Sequence, residues 1–97
     1  MEKFVYLCLL FDIYKELLTD KEKKIFSLYY EENLTLQEIA DNYDVSKSYI
    51  GNVIKRCEKK LEDYESLLNI YKTKEKINSL MDYQDIKKIK EELNSLL

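Results

Sequence analysis

The residues whose types and spacing could do chemistry are Ser46, Lys47, Ser48, Gly51, Asn52, Lys55, Arg56, Lys59 and Lys60. The chemistry they suggest is recognition and not bond-making. Lysine and arginine neutralise phosphates, a carboxamide pairs with adenine, and a lysine reaches guanine on the major-groove edges of bases. Asn52 and Lys47 are therefore the candidate base readers. Ser46, Ser48 and Gly51 carry small groups that read little. Lys55, Arg56, Lys59 and Lys60 are candidate phosphate contacts, and between Ser46 and Lys60 only Glu58 opposes five cations. Elsewhere the chain has no histidine, no glycine-rich phosphate loop and no carboxylate pair arranged for acid–base work. An enzyme is not expected, nor a catalytic residue or a cofactor. Cys8 and Cys57 lack metal-type spacing and no histidine could complete a zinc site, so no metal is expected. Both cysteines fall at apolar helix positions and read as buried free thiols in a reducing cytoplasm.

The elements that would position these residues are two short-linked helices in Leu36 to Lys55. Thr35 can cap the first, with Glu38 at the capping-box spacing, and Leu34 can staple onto Ile39. Ser46 caps the second, and Val45 can staple onto Ile50. Ile39, Ala40, Tyr43, Val45, Ile50 and Val53 occupy the places where a helix-turn-helix packs its two helices together. Ala40, the chain's one alanine, falls where the helices cross closest. Asp44 stands at the turn position that favours a left-handed backbone, which aspartate tolerates. In such a motif the start of the second helix reaches base edges. Gly51 lies inside that helix, at a cost of about 1 kcal/mol relative to alanine, and could permit a close approach.

Around this motif the chain reads as helix throughout. It has 97 residues, no proline and one glycine, which bounds it to one all-α domain over residues 1–97. The helix-turn-helix is expected at 35–60 and a C-terminal helical extension at 61–97. A first helix is predicted from Phe4 to Leu18. It carries two apolar stripes: Phe4, Leu7, Cys8, Phe11, Tyr14 and Leu18, then Tyr6, Leu10, Ile13 and Leu17. A helix apolar nearly all round is buried, so the second stripe needs a cover. Thr19 and Glu22 form a second capping box, opening a helix with Ile25, Phe26, Leu28 and Tyr29 inward and Glu31, Glu32 and Asn33 at its end. Tyr29 and Tyr30 continue that apolar face and read as core, not as a stacking platform for bases. Ile50, Ile54, Cys57, Leu61, Tyr64, Leu68 and Tyr71 trace a heptad seam. They predict one helix from Lys47 to about Lys72, on the order of 40 Å long. Thr73 could cap a short helix with Ile77, Leu80 and Met81. Asp82 could cap a last one, whose seam of Ile86, Ile89, Leu93 and Leu96 suits packing on the long helix, with Lys87, Lys88 and Lys90 solvated.

The net charge of −3 argues against a generic polyanion binder. Its distribution says more. Residues 1–45 hold five lysines against ten acids, whereas residues 46–97 hold eleven cations against nine acids. The longest apolar run, Phe4 to Phe11, is too short to span a membrane, and no signal peptide is evident. Fifteen lysines to one arginine, with many Ile, Asn and Tyr, suggest an AT-rich coding sequence.

The stretch from Leu10 to Leu80 resembles the YlxM family, small bacterial helix-turn-helix proteins associated with the signal recognition particle pathway. The resembling segments are LLFDIYKELLTDKEKKIFSLYY, LTLQEIADNYDVSKSYIGNVIKR and LEDYESLL, in the family's order and spacing. The motif is also similar to region four of sigma factors, over residues 20–60. These resemblances imply a trihelical core, winged-helix-like or sigma region-four-like, in a dimeric regulatory protein. The family has Arg-Gln-Ala-Val-Tyr-Asp after the serine cap, where this chain has Lys47, Ser48, Tyr49, Ile50, Gly51 and Asn52, so the reading surface is altered.

The leading expectation is a cytoplasmic helix-turn-helix regulator that acts on the protein-targeting machinery through nucleic acid, DNA or RNA, or through components of the particle. The alternatives are a DNA-binding transcription regulator and a protein-interaction module without nucleic-acid binding. A homodimer is expected, made by the first and the long helix, unless residues 73–97 fold back and cover the same surfaces. No membrane insertion is expected.

Overall fold

The computed structural model describes residues 2–81 and 86–96, the side chains of residues 86–90 excepted. The described residues form six α-helices: α1 (Lys3–Tyr14), α2 (Asp20–Tyr30), α3 (Leu36–Tyr43), α4 (Lys47–Leu68), α5 (Ile70–Met81) and α6 (Ile86–Leu96). Among the described residues there is no strand, and no helix is long and apolar enough to cross a membrane.

Local signals start the central helices. The Thr19 hydroxyl accepts the Glu22 N–H at 3.2 Å, and the Glu22 carboxylate accepts the Thr19 N–H at 3.0 Å. Thr35 and Glu38 repeat the exchange at 3.1 and 2.9 Å. The Ser46 hydroxyl accepts from the Tyr49 N–H at 3.0 Å. Each box satisfies two N–H groups that a helix start would otherwise leave open. The α3–α4 turn is closed by Asp44 at φ 54°, in the left-handed region, and by the Val45 N–H on the Ala40 carbonyl at 3.0 Å.

The core lies where α1, α2 and α3 pack on the first two-thirds of α4. Leu10, Ile25, Phe26, Ile39, Ala40, Ile50, Cys57 and Leu61 are fully inaccessible. Ala40, on α3, is among these buried residues, and α3 packs on α4. A run of aromatic rings ties α1 to α2: Phe11 stacks on Phe26 at 4.6 Å, Phe26 on Tyr30 at 4.3 Å, and Tyr30 on Phe4 at 4.9 Å. Tyr30 is thus core, and its hydroxyl donates to Glu58 of α4. Tyr29 is half-buried. Of the two thiols, Cys57 is buried and Cys8 only half-buried, and both are free.

Three boundaries differ from the sequence-based expectation. The first helix stops at Tyr14, and Lys15–Leu17 form a 3-10 turn. Tyr64 of α4 stabilises that turn by donating its hydroxyl to the Leu17 carbonyl at 3.2 Å. The long helix stops at Leu68 and not Lys72, because Asn69 turns left-handed at φ 54° and a new helix starts at once. Leu68, expected in the seam, is 53% exposed. Thr73 does not cap α5. Its N–H is already inside the helix, bonded to the Asn69 carbonyl at 3.0 Å.

The cap of α5 comes from elsewhere. The buried Glu65 carboxylate accepts the N–H groups of Tyr71 and Lys72 at 3.0 and 3.1 Å. The Tyr14 hydroxyl donates to the same carboxylate at 2.7 Å and accepts the Ile70 N–H at 3.1 Å. One phenol and one carboxylate thereby satisfy three open N–H groups and join α1, α4 and α5.

This joint turns α5 back onto α1. Tyr71 meets Tyr6 edge-on at 5.4 Å and packs against the main core, and Leu10 is fully covered. The second stripe of the first helix is therefore covered largely within the chain, although Leu17 stays 53% exposed. The last helix lies along α5 rather than on the long helix. The expected Asp82 cap falls outside the described residues, as do the side chains of Ile86, Lys87, Lys88, Ile89 and Lys90; Leu93 is 42% exposed.

Candidate nucleic-acid interface

The helix α4 divides its side chains by angle. Ile50, Val53, Ile54 and Cys57 face inward. Ser48, Asn52, Lys55 and Lys59 recur at helical spacing on the opposite face, and all four are exposed. This outward line begins at the capped start of the helix, where the α3–α4 turn leaves it uncovered. Ser46 and Lys47 are exposed beside it.

Gly51 is half-buried on the flank toward α3. A Cβ added there would lie 3.9 Å from Leu36 Cδ1, an ordinary contact with a flexible side chain. Its φ is not positive. Neither the packing nor the backbone within this chain requires glycine at that position.

The four expected phosphate contacts separate. Lys55 is exposed and makes no ion pair among the described residues. Lys59 pairs with Asp63 one turn along at 3.3 Å, with both side chains well exposed. Such a pair is worth about 0.3–0.5 kcal/mol and yields readily to a phosphate. Lys60 and Arg56 point the other way, toward α2. Lys60 Nζ lies 2.8 Å from Glu22 Oε2, and Arg56 Nε lies 3.4 Å from the same oxygen.

Glu22 is the acid at the centre of this arrangement. It caps α2 and is 4% exposed. Burial by itself would raise its carboxyl, but the hydrogen bonds from Lys60 and from Thr19 outweigh that and hold it at about 2. Cys57 lies beneath the same acid, its Sγ 3.8 Å from the Glu22 carbonyl. Burial first, and then the Glu22 charge, push that thiol up to about 11, so it stays protonated.

Two residues join the face that the sequence did not single out. Tyr49, in the first turn of α4, is 38% exposed, and Lys21 of α2 holds its Nζ 4.9 Å from the centre of the Tyr49 ring. The signal for Tyr49 was present: it falls outside the Ile50–Ile54–Cys57 seam, with Asn52 and Arg56 one and two turns on. Lys21 had none, since only the packing of α2 on α4 brings it there.

The cations around the start of α4 that make no ion pair among the described residues are thus Lys21, Lys47 and Lys55, framing Ser48, Tyr49 and Asn52. An array of ammonium groups, a carboxamide and a phenol on one convex helix end can contact phosphates and base edges.

Comparison with known proteins gives this geometry a family. Residues 1–96 match the family described as "Putative helix-turn-helix protein, YlxM / p13 like", designated UPF0122. A UPF0122 protein of Listeria monocytogenes serotype 4b is 43% identical over 90 residues, covering 90% of this chain and 82% of the relative. One from Mycoplasma capricolum is 40% identical over 89 residues, 92% of this chain and 79% of the relative. One from Clostridium botulinum is 44% identical over 70 residues, 72% of this chain and 64% of the relative, so less than two-thirds of that protein is matched. With three capped helix starts, a left-handed turn at Asp44 and a match along nearly its whole length, the chain belongs to the UPF0122 family of YlxM-like helix-turn-helix proteins.

Proposed function

We propose that this protein is a cytoplasmic helix-turn-helix regulator that binds duplex DNA through α4 and modulates the signal recognition particle pathway. The observation that carries the reading is the division of α4. Ile50, Val53 and Ile54 are buried, while Ser46, Lys47, Ser48, Asn52 and Lys55 stay exposed on the face a groove would meet. Asn52 and Lys47 read bases; Lys55 and Lys59 meet phosphates. Arg56 and Lys60 serve Glu22 first and nucleic acid second. Double-stranded RNA fits less well, because its A-form major groove is too narrow for a helix. The link to protein targeting rests on the family resemblance. No step in this reading calls for catalysis.

Residues 1–97 act as one helical unit in this reading, and the working form is a homodimer. Two-fold symmetry would present two copies of α4 to paired half-sites. Because α5 covers most of the second stripe of α1, the dimer contact moves to apolar surface left open near the α4–α5 joint, where Leu67 is 79% and Leu68 53% exposed.

Selection from random duplexes tests the reading. A reproducible consensus that is lost in Lys47→Ala and Asn52→Ala supports it, and recovery of targeting-particle protein or RNA with the tagged protein supports the pathway link. No retention of any duplex at low salt sinks it. The second reading, a protein-interaction module, is favoured by the pairing of Arg56 and Lys60 with the one Glu22 carboxylate, which leaves the trio a single net positive charge, and that same negative result would select it.

A further inference from the structure

The flank of α4 that faces α2 sorts its side chains into two sets. Toward the middle of the helix, Arg56 and Lys60 are bonded to Glu22. Two to three turns earlier, Tyr49 has no such partner, and neither has Lys21 beside it on α2. The Tyr49 hydroxyl makes no hydrogen bond among the described residues, and Lys21 makes no ion pair there. Two acids adjoin Lys21 in sequence. Glu22 is engaged by Lys60, Arg56 and the Thr19 N–H, and Asp20 is exposed and does not pair with Lys21. The ammonium lies instead over the Tyr49 ring. An ammonium over a ring face is attracted by the ring's quadrupole, so the pair is pre-positioned, with a cation and a phenol hydroxyl side by side at the surface.

We propose that Lys21 and Tyr49 form a clamp for one backbone phosphate of a DNA duplex, extending the interface onto α2. This rests on the duplex-binding reading above. A helix is about as wide as the major groove. When its front meets the base edges, its flanks face the phosphates of the two strands. The front of α4 is Ser48 and Asn52, with Lys47 reaching the bases from the capped end and Lys55 a turn further on at the phosphates. Tyr49 with Lys21 forms the α2 flank. The phenol donates a hydrogen bond to a phosphate oxygen, and the ammonium supplies the opposing charge. Both contacts are blind to sequence, so they set the depth and register of α4 and not its base preference. The clamp also explains how a chain with an acidic first half can approach DNA. The cation nearest the reader on that half is the one its buried acid has left free.

The experiment measures Kd for a panel of duplexes between 50 and 200 mM salt, using the full chain, Lys21→Gln, Tyr49→Phe and the base-reader variant Asn52→Ala. Helicity by circular dichroism confirms that each exposed substitution leaves the fold intact. Lys21→Gln is expected to weaken binding equally on every duplex and to reduce the salt slope by about 1. Its loss of affinity across that salt range then shrinks by about threefold relative to the unaltered chain. Tyr49→Phe, which keeps the ring and removes the hydroxyl, is expected to cost roughly 2- to 10-fold in Kd, with the salt slope unchanged. Asn52→Ala should instead change the ranking of duplexes. An unaltered salt slope in Lys21→Gln overturns the clamp while duplex binding stands, as does a Lys21 or Tyr49 effect confined to particular sequences. If the unaltered chain retains no duplex at 50 mM salt, the duplex-binding reading falls and the clamp with it.

Discussion

The part of the molecule built on α2, α3 and most of α4 is held differently from the part built on α5 and α6. The first has a side-chain cap on every helix start and a core of residues with no accessible surface. The second hangs on one joint. Glu65 and Tyr14 cap α5, Tyr71 packs it on the body, Leu80 is buried apart from the main core, and Ile77, Met81 and Leu93 are 39%, 78% and 42% exposed. The overall dimensions of 58 × 22 × 18 Å reflect this, since a folded helical body continues into a thin arm. The start of α4 therefore sits on a tightly packed frame, while the described side chains of α5 and α6 bury less apolar surface. A region with few buried apolar groups opens at lower free energy than the global transition.

The largest effect should come from the tightly packed part. Phe26, stacked between Phe11 and Tyr30, has no exposed surface. Phe26→Ala is expected to cost about 3–5 kcal/mol in urea unfolding and to lower the whole transition. If Leu80→Ala lowers the same transition by as much, the contrast between the two parts fails.

Glu22 comes next, and its contribution depends on pH. The carboxyl titrates at about 2 in the folded chain against 4.5 when free. A depressed folded value stabilises above the unfolded one, and the gain is lost as pH falls from about 5 toward 2. At neutral pH it is worth on the order of 3 kcal/mol. In Glu22→Gln the acid limb of the stability curve should flatten by that amount, with the glutamine still able to cap Thr19. An unchanged limb would mean that Lys60 and Thr19 do not hold the acid ionised in solution.

The joint gives a smaller and more local effect. Glu65→Ala removes the acceptor for the Tyr71 and Lys72 N–H groups and for the Tyr14 hydroxyl. It should cost about 2 kcal/mol. Hydrogen exchange is expected to speed up in α5 while α3 and the start of α4 keep their protection. Equal loss of protection in both would show the arm and the body to be one cooperative unit.

The smallest effect has the opposite sign. Gly51→Ala meets only Leu36 Cδ1 at 3.9 Å and should stabilise the chain by up to about 1 kcal/mol through helix propensity. A destabilised variant would point to a close approach that Gly51 permits to something outside this chain.

How much of this was legible in the residues follows from range. The capping boxes at Thr19 and Thr35, the Ser46 cap and the left-handed Asp44 could all be placed from sequence alone, because each depends on groups within four or five residues of one another. The outward line Ser48–Asn52–Lys55 was legible for the same reason, since helical periodicity settles which side chains oppose the apolar seam. The partners of Arg56 and Lys60 were not. They bind an acid 34 and 38 residues away, and a cation's sequence neighbours do not reveal whether a second helix will bring a buried carboxylate to it. The same holds for Lys21 beside Tyr49. The break at Asn69 was hidden by a heptad seam that runs through it, because periodicity records which face is apolar and not whether the axis bends. The Tyr14 hydroxyl, 51 residues from Glu65, completes the acceptor set that lets α5 start there. Local hydrogen bonding and periodicity thus determined the helix-turn-helix from the sequence itself. Tertiary packing decided which of its charges remain free, since Coulomb and hydrogen-bond energies at 3 Å depend on where whole helices lie.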